Sequence, residues 1–200
     1  MQDSILKFSE KESRLISDRE FFHHKQSITK KIIELFSVLE QEFRREIAGK
    51  AIPEEITSLS GKIFRGENYR GYPYIMLDYP RRFQADSVLA IRTMFWWGHE
   101  FSFTLHLQGD LLEKYRSRIS ERVSELNLDY YYGCTGETPW EYHFGEDNYQ
   151  KLNDYLPEFK SAIQSAPFIK ISRRVDVKDF GIVQETAIKS FKDFLRMIED

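Results

Sequence analysis

Cysteine is almost missing from this chain: Cys134 stands alone among 200 residues. An internal disulfide is excluded, and with it the small stapled fold of secreted domains. No run approaches the roughly 18 consecutive apolar residues that a membrane span needs. Met1 to Glu20 is mixed and charged, unlike a signal peptide. These absences point to a reducing, cytoplasmic setting with no membrane. Glycine and proline are sparse, ten and six, against 41% hydrophobic residues. A low-complexity or disordered chain is excluded, because this much apolar material can offset the entropy of folding.

Chemical signatures are also missing. No Gly-x-Ser-x-Gly, phosphate-cradling Gly-x-x-x-x-Gly-Lys-Ser/Thr or Gly-x-Gly-x-x-Gly occurs, so no cofactor is implied. His23 and His24 are adjacent and point about 100° apart on a helix. His99, His106 and His143 are isolated, without the spacing of a metal site. No metal is expected.

What is present is periodicity. Ile28, Ile32, Leu35, Phe36, Leu39, Phe43 and Ile47 step by three and four, the stripe of a long amphipathic helix that Gly49 and Pro53 end. A weaker amphipathic piece, Ser4 to Ile16, precedes it. The period then changes to two. Phe101, Phe103, Leu105 and Leu107 alternate with Ser102, Thr104, His106 and Gln108, a half-buried strand. Val88 to Trp97 is apolar on both parities, as suits an interior strand. Gly61–Arg65 and Tyr72–Asp78 read as two more, with Pro73 either placing the latter near an edge or making its first residues irregular. After residue 109 a helix with Asp110 as N-cap presents Leu112, Tyr115, Ile119, Val123 and Leu126. Short strands follow at Tyr130–Tyr132 and Glu141–Phe144, then a helix over Asp147–Ala166 broken near Leu156 by Pro157. Phe168–Val175 is a strand and Val183–Ile198 the closing helix.

The expectation is one α+β domain: a helical element over 1–50, an antiparallel sheet core over 60–108 and mixed helix and strand over 110–200. The sheet should have about five to six strands, with the long N-terminal helix and the C-terminal helices packed on it. A turn at Gly98-His99 would set Trp96 opposite Phe101, Met94 opposite Phe103, Arg92 opposite Leu105 and Ala90 opposite Leu107. That face would be the core, and Arg92 inside it would need a carboxylate, for which Asp78 is the natural partner.

Net charge is −3, yet residues 61–92 carry +3, leaving −6 elsewhere. Nucleic acid is therefore an unfavoured partner. Within 65–82, arginine, tyrosine and glycine interleave, a mixture suited to an anionic ligand because guanidinium forks hold the anion and rings stack on it. Arg65, Arg70, Tyr72, Tyr79, Arg81 and Arg82, continued by Trp97 and His99, form the candidate binding surface for an acidic or phosphorylated ligand or protein partner. The plainer reading has the tyrosines packing on the sheet and the arginines in surface ion pairs. The alternative function is a small hydrolase or transferase with His106 or His143 as general base and an arginine steadying negative charge; Cys134 is a weaker nucleophile candidate. An oligomer built through the N-terminal helices is a third reading.

The block Arg70-Gly-Tyr-Pro-Tyr-Ile-Met-Leu-Asp-Tyr-Pro-Arg81, with Met94-Phe-Trp-Trp-Gly98 and Phe101-Ser-Phe-Thr-Leu-His-Leu107, is similar to an uncharacterised family of bacterial hypothetical proteins. That resemblance implies a bacterial cytosolic origin and brings no activity, ligand or catalytic residue.

Overall fold

Two periodicities in one chain, 3.6 and 2, are satisfied together when helical stripes cover one face of a sheet. The computed structural model, which describes residues 7–58, 60–84 and 86–199, has this arrangement. In chain order come α1 (Glu10–Ser17), α2 (Arg19–Ile47), α3 (Glu54–Thr57), β1 (Lys62–Tyr69), β2 (Tyr72–Gln84), β3 (Ser87–Trp96) and β4 (Glu100–Gly109). Then follow α4 (Asp110–Arg122), β5 (Tyr131–Cys134), β6 (Tyr149–Lys151), α5 (Leu152–Ile163), β7 (Phe168–Asp176) and α6 (Val183–Ile198). The described residues form one antiparallel sheet of seven strands in the order β1-β2-β3-β4-β7-β5-β6.

Helices α2, α4 and α6 lie on one face. Ile32, Phe36, Leu39, Phe43 and Ile47 of α2 bury the expected stripe, and Phe43 stacks on Phe191 of α6 at 4.1 Å between ring centres. Leu112, Tyr115, Ile119 and Val123 do the same after β4. Asp110, however, is not the N-cap of α4. Gly109 is, at φ +65°, and a Cβ there would stand 1.6 Å from the Asp86 carbonyl oxygen. The expected break near Leu156 falls at Tyr155, whose φ of −148° leaves the helical region.

The β3–β4 hairpin is antiparallel, but its register differs from expectation by one residue. Its loop has three residues, Trp97-Gly98-His99, with Gly98 at φ +74° and the His99 N–H donating to the Trp96 carbonyl at 3.1 Å. Phe95 therefore opposes Phe101, Thr93 opposes Phe103, Ile91 opposes Leu105 and Leu89 opposes Leu107. A one-residue slip exchanges the two faces of a strand. Thus Leu89, Ile91, Thr93 and Phe95 meet the helices, while Ala90, Arg92, Met94 and Trp96 share the second face with Ser102, Thr104 and His106. Pro73 is not on an edge, since β2 is an inner strand and β1 the edge, but it stands where the first residues of β2 are irregular, opposite the register shift between Gly66 and Tyr69.

Residues Glu141–Phe144 are not a strand either. They belong to an irregular strap, 135–148, that joins β5 to β6 and lies over the second face. Among the described residues no helix is long and apolar enough to cross a membrane.

Candidate functional site

Beneath the strap the second face is a buried polar layer. Arg92 meets Asp78 through two bonds of 2.7 Å, and its guanidinium also donates to the Tyr142 hydroxyl. Lys170, fully buried in β7, donates to the Glu141 carbonyl and lies 4.9 Å from the ring centres of both Tyr142 and Tyr149. Burial brings its pKa down to about 8, with the Arg92 charge adding to the effect against an opposing pull from Cys134. Burial, then the charges of Lys170 and Arg92, hold His106 down to about 3. His106 is thus neutral, and its Nε2 has no hydrogen-bond partner. Closed over by Trp140 at 5.5 Å and too weakly basic, it is not fit to be the expected general base. Cys134 is unfit as a nucleophile for a related reason: burial pushes its thiol up, and its Sγ lies 3.5 Å from the Asn148 side-chain oxygen.

At the hairpin end of this face, the strap is pinned by Tyr69. Its hydroxyl accepts the N–H groups of Tyr142 at 2.6 Å and His143 at 3.1 Å, and donates to Glu141 at 2.8 Å. His143 is buried, with Nε2 2.9 Å from Asp147 and Nδ1 3.2 Å from Glu141. Arg70 approaches both carboxylates, at 3.7 and 3.9 Å. Next to this cluster a cavity of about 240 Å³ is lined by Trp96, His99, Glu100, His143, Phe144 and Arg174. His99 stacks on Trp96 at 3.6 Å, and Tyr72 meets His99 edge-on at 4.7 Å.

A second site opens on the helical side. No residue from Lys7 to Lys31 is buried, so the first turns of α2 stand above the β1–β2 and β3–β4 hairpin ends. Between them lies a cavity of about 440 Å³ lined by Phe22, Lys25, Lys30, Arg65, Tyr74 and Trp97. Its formal charge is positive: Lys25, Lys30 and Arg65 face only Glu67, which is 3.3 Å from Lys25. Among the described residues Lys30 and Arg65 have no carboxylate partner. On the other side of Trp97 an apolar cavity of about 420 Å³ is lined by Ile28, Ile32, Phe95, Phe101, Val177 and Phe180.

The expected Arg/Tyr surface is therefore divided. Arg65 and Trp97 share the basic cavity. Arg70, Tyr72 and His99 lie around the strap and the small cavity. Tyr79 is a core residue, 1% exposed, with the Arg44 guanidinium 4.6 Å from its ring centre. Arg81 donates to the Ser60 carbonyl at 3.2 Å and Arg82 to Gln84 at 3.1 Å. Strand alternation and the bulge between Asp78 and Arg81 account for the division, since neighbours in sequence take opposite faces. Lys25 and Lys30 escaped sequence reasoning, although Lys25 interrupts the apolar stripe of α2 and was the available signal. Lys170 gave none, being one lysine between two isoleucines of a strand.

No family model, curated protein or solved structure matches the chain. Fold and site alone define it as an α+β protein with one helix-covered sheet face and one strap-covered polar face. Among the described residues no group of three or more His, Cys, Asp and Glu side chains could hold a metal ion.

Proposed function

We propose that the protein is a binding module that captures an acidic or phosphorylated segment of a partner in the basic cavity under α2. The observation that carries this reading is the convergence of Arg65, Lys30 and Lys25 from a helix and an edge strand, beside the rings of Tyr74 and Trp97. Guanidinium and ammonium groups supply the charge, and the rings supply apolar contact at small entropic cost. The cavity has exposed walls, including Phe22 and Lys30, which suits a chain segment lying across it better than a small molecule enclosed on most sides. The test is titration with phosphorylated and acidic peptides, followed by intrinsic fluorescence. Saturable binding that weakens with salt and is lost in Arg65→Ala/Lys30→Ala supports the reading. Equal binding by that variant removes the cavity from consideration.

A second reading is favoured by the smaller cavity, where two imidazoles and the Arg174 guanidinium meet. It is a hydrolase or transferase in which an imidazole moves a proton and Arg174 steadies negative charge. Both nitrogens of His143 already face carboxylates, so this chemistry falls to His99, the other imidazole on the cavity wall. Loss of any hydrolytic activity in His99→Gln with unchanged folding is its test.

A further inference from the structure

The stripe that covers the sheet does not stop where the sheet does. Reading back along α2 from Ile47, the positions 43, 39, 36 and 32 are buried, and beyond them Ile28 and, past the interruption at Lys25, Phe21 fall on the same side of the helix, both exposed. Beyond Asp18, α1 has a complete capping box between Ser9 and Glu12 and no buried residue at all. An isolated helix of eight residues is not stable in water by itself, so this apolar arm requires a cover. Its exposed large residues are Phe8, Leu15, Ile16, Phe21, Phe22 and Ile28, from 39% to 67% exposed. Phe180 and Ile182, each about half exposed, stand after β7, with Phe180 on the wall of the apolar cavity that Ile28 also lines.

We infer that this end of the molecule is a homodimer interface in which the α1 arm of each copy lies over the apolar cavity of the other. Area supports a second copy. At about 200 Å² for a whole large side chain, these eight offer about 800 Å² per copy. A two-fold pair then buries about 1,600 Å², the size of a standard specific interface. Charge supports it too. From Lys7 to Glu20 four basic residues balance four acidic ones, so two identical arms meet without net repulsion, whereas a partner selected by charge would need an arm of one sign. The interface shares Phe22 with the wall of the basic cavity, but Arg65 and Lys30, which carry that cavity's charge, are not among the eight.

Sedimentation of the full chain from about 1 to 100 µM tests it. The expected species has twice the 23.9 kDa chain mass. Leu15→Glu/Ile16→Glu, at exposed positions, should give a folded monomer with its thermal transition retained, while Arg65→Ala/Lys30→Ala should remain dimeric. In a Cys134→Ser background, Leu15→Cys mixed with Phe180→Cys should form a disulfide-linked pair on oxidation, and neither variant alone should. A wild-type chain that is monomeric at 100 µM, a dimer indifferent to Leu15→Glu/Ile16→Glu, or linkage only between two Leu15→Cys copies overturns the exchange of arms.

Discussion

Asp78 and Arg92 stand directly opposite each other on adjacent strands and meet through two parallel bonds of 2.7 Å. The pair lies on the sheet face that the helices do not cover, closed in by the strap and by Tyr142. Removing one partner leaves a buried charge with no compensation, which costs about 3 to 5 kcal/mol. Asp78→Ala should therefore lower the urea midpoint sharply. Replacing both at once, Asp78→Leu with Arg92→Met, should cost far less. A double variant as unstable as the single one would show that the polar layer is needed for more than its own neutralisation.

Most of the architecture was legible in the sequence because each element repeats a simple period over many residues. The α2 stripe, the alternation from Phe101 to Leu107 and the closing α6 are of this kind. The Asp78–Arg92 pair was legible too, since a guanidinium in an apolar strand demands a carboxylate. The register was not. A two-residue and a three-residue loop at Trp97-Gly98-His99 differ by one position, and that position decides which side of β3 meets the helices. The candidate site suffered from the same ambiguity: Arg65, Arg70, Tyr79 and Arg81 are close in sequence but separated by strand alternation, a turn and a bulge. The strap residues Glu141, His143 and Asp147 carry no period, and their contacts with Tyr69 and Arg70 span about seventy positions.

Gly109 is the one residue that joins β4 to α4 without strain. Its φ of +65° is left-handed, and an added Cβ would strike the backbone carbonyl of Asp86, which cannot swing aside as a side chain would. Gly109→Ala should cost about 3 kcal/mol, measured by denaturant unfolding. Gly181→Ala is the control, because a Cβ there meets nothing within 4 Å. Equal midpoints for the two variants would contradict the assignment.

Lys170 gives the fold an alkaline signature. In the native state its ammonium loses the proton near pH 8, against 10.5 for an unperturbed lysine. Between these values the unfolded chain holds a proton that the native chain does not, so the free energy of unfolding rises with pH, by at most about 3 kcal/mol. Tyr69 and Tyr142, raised mainly by burial to about 12, act in the opposite sense above pH 10, where the unfolded phenols ionise first. Cys134, whose thiol burial also raises from its ordinary value of 9.0, opposes the rise from there on, so the net rise is steepest between pH 8 and 9 and ends by pH 10. Urea midpoints at pH 7.5 and 9.5 should differ in the wild type, and Lys170→Met should be more stable at pH 7.5 and lack the rise. An identical slope in that variant would assign the proton to another group.

Tyr69 holds the strap through one oxygen atom. That hydroxyl accepts the N–H groups of Tyr142 and His143 and donates to Glu141, so Tyr69→Phe orphans two amide donors and a carboxylate at once. Each lost partner of a buried donor costs about 1 to 3 kcal/mol. The strap covers the second face and takes no part in the helix-side core, so the loss should appear first as local opening. Hydrogen exchange at the Tyr142 and His143 amides should accelerate by roughly 10- to 100-fold, while amides of β3 and β4 keep their protection. If all of these amides accelerate together, the strap and the sheet open as one unit, and the second face is sealed by the whole fold instead of by the 135–148 segment.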